Sequence, residues 1–215
     1  MKNTGISYSE VERFSRRVGV TMNAVTTAAY MLLIGQYAST NDVTVMAVHN
    51  ARNDIRTRNT IGYLATQILV RGRWTPNMPT RDFLCQVAKA LVDSMGHGIF
   101  TLGDVIDEWQ TIPSYQFLFQ GDLVRTMTID GYELKNTPLE IEPAFPIFDI
   151  HLFHNSTDDG FNIQYFTTSK SRDGVYIERW TQRYAECLRA LMTAKTVGQA
   201  IPSVPKQDKF FNEKH

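Results

Sequence analysis

"VTMNAVTTAAYMLLIGQYASTNDVTV", residues 20–45, decides how the rest of the chain is read. From Ala24 to Tyr37 apolar or small side chains occupy nearly every helical face, and no charged residue interrupts them. A helix that is apolar all round belongs inside a protein rather than on its surface. Thr21 stands where an N-cap hydroxyl is needed. After a turn, Asp42–Val48 bring β-branched residues together and predict a strand.

Working outward, Ser7-Tyr8-Ser9-Glu10 has capping-box spacing, so a helix is expected from about residue 8 to 18, ended by Gly19. Residues 49–60, rich in Arg and Asn, have no period and read as a long loop. "YLATQILVRGRW" (63–74) alternates, with Leu64, Thr66, Ile68 and Val70 on one face. Pro76 and Pro79 break the chain, and Thr80 is placed to cap a helix carrying Phe83, Leu84, Val87, Leu91 and Val92 at helical spacing, stopped by Gly96 and Gly98.

A short helix near 102–109 and a strand at "YQFLFQ" (115–120) follow. Residues 121–146, with Pro138, Pro143 and Pro146, read as an extended crossover. Two alternating strands, "IFDIHLFHN" and "GFNIQYFTT", flank the turn-forming "STDD". A last helix has Ile177, Trp180, Tyr184, Cys187, Leu188 and Leu191 as its apolar stripe. The tail, 201–215, is polar with two prolines and is expected to be flexible. Helices and strands interleave without a strict βαβ rhythm. The expectation is an α/β (α+β) fold: a mixed β-sheet with helices packed on it.

Composition narrows the function classes. The 22 basic and 22 acidic residues balance, leaving no footprint for nucleic acid or an anionic membrane. Cys85 and Cys187 lie far apart and form no CxxC, so neither a disulfide framework nor a cysteine zinc site is expected. No run approaches ~18 apolar residues. The expectation is a soluble, cytoplasmic protein. His49 and His151 cannot be assembled into a metal site from spacing. No Gly-x-Ser-x-Gly elbow and no P-loop is present.

The order of segments resembles the C-terminal lobe of condensation domains from nonribosomal peptide synthetases, in the chloramphenicol acetyltransferase-like superfamily. Residues 20–45 resemble the helix, turn and strand that open that lobe. In the family, a Gly-Arg element and, ten residues on, a Gly-Phe-Phe-Val-Asn-Thr segment follow. Here Ala51-Arg52 is followed by Gly62 in "IGYLATQILVR", with Tyr63 as the aromatic, Thr66-Gln67 in place of Asn-Thr, and Arg71 closing. "GHGIFTLGDVID" takes the place of the family's His-Gln-Asp-x-Pro-Phe-Glu, and only His97 is kept. "PSYQFLFQ" resembles a Pro-Leu-Phe-Gln-Val-Leu-Phe strand, and Phe148-Asp149-Ile150 opens the closing hairpin and helix. The likeness runs from about residue 7 to 195.

What the resemblance implies is a lobe spanning 1–200. A floor loop at about 47–61 and a latch at about 120–146 would reach a partner N-terminal lobe. Such domains join two carrier-tethered substrates by an amide bond in natural product biosynthesis. The implied partners are that lobe and a peptidyl or aminoacyl carrier protein. No cofactor would be bound directly; the phosphopantetheine arm belongs to the carrier. The catalytic HHxxxDG belongs to the N-terminal lobe, so no catalytic residue is expected here, and the lobe would be inactive alone. Alternatives are a noncatalytic condensation-like module that recruits a carrier protein or tailoring enzyme, and a fragment of an acyl-CoA-dependent acyltransferase. A lobe without its partner would also expose apolar surface and self-associate.

"HNSTDDG" (154–160) has the outline of that motif, with Asn155 where the second histidine would stand. Its residues are those that close a hairpin, Gly160 being available for positive φ. It also lies far downstream of the motif's place, and reads as a turn. Single residues keep two readings each. Arg52 is either a solvated charge or the anchor of the floor loop through charge-assisted hydrogen bonds. Gly62 either ends a loop or permits a close backbone approach. Thr66 and Gln67 are strand residues or tunnel contacts, Tyr63 and Arg71 further tunnel candidates. His97 caps a helix end or touches substrate. Phe148 and Asp149 are assigned a structural role, with Asp149 pairing with an arginine.

Overall fold

In the computed structural model the described residues are 2–52, 55–97, 115–120, 126–135, 148–155, 160–166 and 174–201. Ser7 caps α1 (Tyr8–Val18), its hydroxyl accepting from Glu10 N–H at 3.4 Å. Gly19 ends the helix in the left-handed region at φ 83°, where its N–H meets the Ser15 carbonyl. Thr21 caps α2 (Met22–Ala38) in the same way, accepting from Ala24 N–H at 3.2 Å. Both starts agree with the sequence reading because capping is a contact between near neighbours in the chain.

Two further helices flank α2: α3 (Thr80–Gly96) and α4 (Gly174–Thr193), with the short α5 (Val197–Ala200) after them. α2 also lies against the sheet strands β2 (Asp42–His49) and β4 (Tyr115–Gln120), and touches α1. That enclosure explains why it is apolar on every side: every residue from Ala24 to Gly35 is buried. Trp180 of α4 stacks on Tyr37 with ring centroids 4.7 Å apart. The buried Tyr184 hydroxyl donates to the Thr26 carbonyl at 3.2 Å, tying α4 to α2. The predicted stripe residues Trp180, Tyr184, Cys187, Leu188 and Leu191 are all buried.

The main sheet has six strands: β1 (Lys2–Ser7), β8 (Gly160–Phe166), β7 (Phe148–Asn155), β4, β2 and β3 (Thr66–Arg73), in that spatial order. The pairings β7–β4 and β4–β2 are parallel and the other three antiparallel. The sheet is therefore mixed, as expected. Along β3, Ile68, Val70 and Gly72 are buried while Arg71 and Arg73 are exposed. A side chain at Gly72 would come within 2.6 Å of the Met31 sulfur, so α2 seats on β3 there. The outer edge of β3 is covered by α3: Ser94 Oγ donates to the Leu69 carbonyl at 2.6 Å, and Gln86 accepts from Arg73 N–H at 3.0 Å. Edge strands left bare invite wrong pairing, and these two side chains occupy groups that would take part.

Several expectations need correction. Lys2–Ser7 forms a strand the pattern did not show, because Gly5 at φ 66° interrupts the alternation and the register shifts there. β3 begins at Thr66, so Leu64 precedes it. Thr80 is the first residue of α3 rather than its cap; its hydroxyl donates to the Ala194 carbonyl at 2.7 Å, joining α3 to the end of α4. Within the expected crossover, Thr126–Ile129 (β5) and Tyr132–Lys135 (β6) form a hairpin with a sheet of its own. Asp130 and Gly131 turn it, both at positive φ, and "Asp-Gly" between two short strands was the available signal. Gly160 opens β8 opposite Asn155 rather than sitting in the turn. The expected helix at 102–109, the tail from 202 and residues 156–159 lie outside the described residues.

Among the described residues no single helix is long and apolar enough to cross a membrane. α1 and α2 pass that test only as a pair, and they bend by 100° at their junction.

Candidate functional site

β2 ends at His49, which pairs with Thr66 at the start of β3. The chain between them leaves the end of the sheet and returns. Its departure is built from three consecutive residues. Asn50 Oδ1 accepts Arg52 N–H at 3.1 Å, a local turn of the kind Asn side chains make. Ala51 between them sits at φ 52°, in the left-handed region that favours glycine. Arg52 then reaches back across the loop: Nη1 donates to the carbonyls of Thr57 (2.9 Å) and Thr60 (2.8 Å), and Nη2 to that of Gly62 (3.0 Å). Thr60 adds two short-range bonds, from its N–H to Thr57 O and from its hydroxyl to Arg56 O.

The return passes through Gly62 at φ 152°. A Cβ there would meet nothing within 4 Å, so the glycine answers to backbone conformation and not to a close approach. The loop's apolar side chains face water: Ile55 is 80% exposed, Ile61 101% and Tyr63 90%. Thr66 and Gln67 are half-buried at the root of the loop, opposite His49 and Val48, with His49 buried.

The structure brings Arg52, Gly62, Tyr63, Thr66 and Gln67 to one end of the β2–β3 pair. Arg71 lies toward the other end, where Nε and Nη2 each donate to one carboxylate oxygen of Asp42 at 2.7 Å. Arg73 adds a bond to the same carboxylate at 2.8 Å. The hydrogen bonds from Arg71, helped by those from Arg73, hold the Asp42 carboxyl down at about 2, and Asp42 in turn pushes Arg71 up. Arg71 is thus a partner of Asp42 on the exposed sheet face, away from the loop.

Phe148 and Asp149 open β7, the strand between β8 and β4, where their backbones pair with Tyr115 and Gln116 and Asp149 also with Phe166. The arginine partner expected for Asp149 lies outside what the described side chains cover. His97 follows the last turn of α3, exposed, its N–H on the Ser94 carbonyl at 3.1 Å. Among the described residues no group of three or more His, Cys, Asp or Glu is placed to hold a metal ion. The loop end offers an apolar tip on a polar frame.

No family model matches the chain. Tyrocidine synthase 3 of Brevibacillus parabrevis is 22% identical over 191 residues, which is 85% of this chain and 3% of that protein. Tyrocidine synthase 2 of the same organism is 22% identical over 195 residues, 85% of this chain and 5% of that one. Among solved structures, the first condensation domain of the calcium-dependent antibiotic synthetase, in complex with a substrate analogue, superposes with a TM-score of 0.68 at 16% identity, covering 91% of this chain and 44% of that chain. The condensation domain of the Monacolin K polyketide synthase MokA gives 0.63 at 13% identity, with 85% and 44% covered. The chain therefore spans less than half of the condensation-domain structures it resembles and a small part of the synthetases it matches. Its fold is similar to that of somewhat less than half of a condensation domain, and the proteins it matches in sequence are peptide synthetases.

Proposed function

We propose that this chain is the C-terminal, acceptor-side lobe of a condensation domain, working with an N-terminal lobe to form an amide bond between two substrates carried on phosphopantetheine arms. The observation that carries the reading is the extent of the match: nearly all of this chain on less than half of each condensation domain. In this reading the loop after β2 crosses to the partner lobe, and the β5–β6 hairpin belongs to the latch segment. The apolar, exposed tip at Ile55, Ile61 and Tyr63 supports the first assignment. The chemistry is attack of an acceptor amine on a donor thioester: the C–N bond forms, the C–S bond breaks, and the amine proton leaves to a base. That base sits on the partner lobe; this chain supplies a wall that positions the acceptor and excludes water. A general base contributes ~10²–10⁴ in rate, so this lobe alone turns over at background.

The experiment mixes residues 1–215 with a separately produced cognate lobe bearing HHxxxDG and with charged carrier proteins, and detects the amide by mass spectrometry. Product is expected only when both lobes are present. Product from residues 1–215 alone would place the base in this chain and end the proposal. A second reading, a noncatalytic module that recruits a carrier protein, is favoured by Thr66-Gln67 standing where the family has Asn-Thr. Under it, the paired lobes bind the carrier protein and release no amide, and Thr66→Asn with Gln67→Thr does not raise the yield.

A further inference from the structure

The guanidinium of Arg52 closes the loop on itself. It commits two nitrogens to three carbonyls lying five, eight and ten residues further along the chain. Those carbonyls lie outside every strand, and the loop's apolar residues give it no core of its own, since Ile55, Ile61 and Tyr63 all face solvent. Ala51 is held at φ 52° just before the arginine, a conformation that an L residue adopts only when its surroundings impose it. Strained backbone, a three-carbonyl clamp and an outward apolar tip occur together within one excursion of the chain.

We propose that Ala51-Arg52 is a strut that sets residues 55–63 in their docking shape before the partner lobe arrives, making Arg52 a positioning residue for lobe assembly. The inference rests on reading this loop as the contact to the partner lobe. A loop ordered in advance loses less conformational entropy on binding, so association is tighter than for a free loop. A lysine cannot replace the arginine, because one ammonium lacks the planar fork that meets several acceptors at fixed angles.

The test uses the full chain with Arg52→Ala and Arg52→Lys. Amide hydrogen exchange over residues 57–63, at Thr60 above all, is expected to speed up about tenfold or more in both variants, while the near-ultraviolet circular dichroism of the core is unchanged. Association with the cognate partner lobe is expected to weaken about tenfold, which corresponds to the loss of ~1.4 kcal/mol. Added guanidinium ion should restore protection in Arg52→Ala and leave Arg52→Lys unchanged, a rescue that a general loss of stability would not give. If Arg52→Ala does not fold, Arg52→Lys carries the test. Unchanged exchange in the variants overturns the strut, and so does faster exchange with unchanged lobe affinity. Ile61→Ser with Tyr63→Ser separates the two levels: if these leave the loop protected and lobe affinity intact, the contact assignment beneath the proposal is what fails.

Discussion

Asp42 shows how far one exposed side chain can be tuned without burial. Arg71 grips both carboxylate oxygens and Arg73 adds a third bond, so the acid titrates near 2 instead of its ordinary 3.8. A depressed carboxyl pKa stabilises the folded state above the unfolded value, and that contribution is lost as pH falls from about 4 toward 2. A carboxyl-carbon NMR titration of Asp42 should show this low midpoint, and Arg71→Gln should move it back up. The accompanying stability change is small and fades at high salt, since the trio faces water.

The two thiols should behave oppositely. Burial pushes the Cys187 thiol up to about 12, while Cys85 is exposed. A thiol reagent is therefore expected to label Cys85 in the native protein and Cys187 only after unfolding; rapid native labelling of both would contradict the packing of α4 against α2. At Ala51, relief of the left-handed strain by glycine is worth ~1–2 kcal/mol against ~0.5–1 kcal/mol of added chain entropy. Ala51→Gly should thus be neutral or stabilise by up to about 1.5 kcal/mol, as a thermal scan would show. Neither Arg52's three acceptors nor Asp42's two donors could be read from spacing, because each depends on where the chain has turned.

Among the elements, α2 was the most legible. Its unbroken apolar content predicted burial, and Thr21 its start, because both are properties of adjacent residues. Its neighbours were not legible. Gly35, near the end of α2, is needed because a Cβ there would lie 2.6 Å from both the Thr40 carbonyl and the Trp74 ring. Gly35→Ala should destabilise by ~1–3 kcal/mol despite alanine's better helix propensity; a higher melting temperature would refute this packing. β1 was missed for the opposite reason. It has almost no strand pattern of its own, yet it pairs with β8, about 160 residues downstream, and Arg189 holds its kink by donating to the Gly5 carbonyl at 2.8 Å. The β5–β6 hairpin did carry a local signal, Asp130-Gly131, which the prolines after it obscured.

For the molecule as a whole, the loop tip and Tyr132 of the hairpin leave apolar side chains in water. Sedimentation of residues 1–215 should show concentration-dependent self-association, reduced by Ile61→Ser with Tyr63→Ser; a strict monomer at high concentration would count against an exposed lobe face. Taken by itself, the sequence determined the caps of α1 and α2, the buried helix, the alternating strands and the mixed-sheet class, since these follow from contacts a few residues apart and from which faces must leave water. The tertiary structure alone decided the strand order, the existence of β1, and the pairing of Arg71 with Asp42 at the far end from the loop. Those depend on distant segments arriving at one place in one register, and no local pattern encodes that arrival.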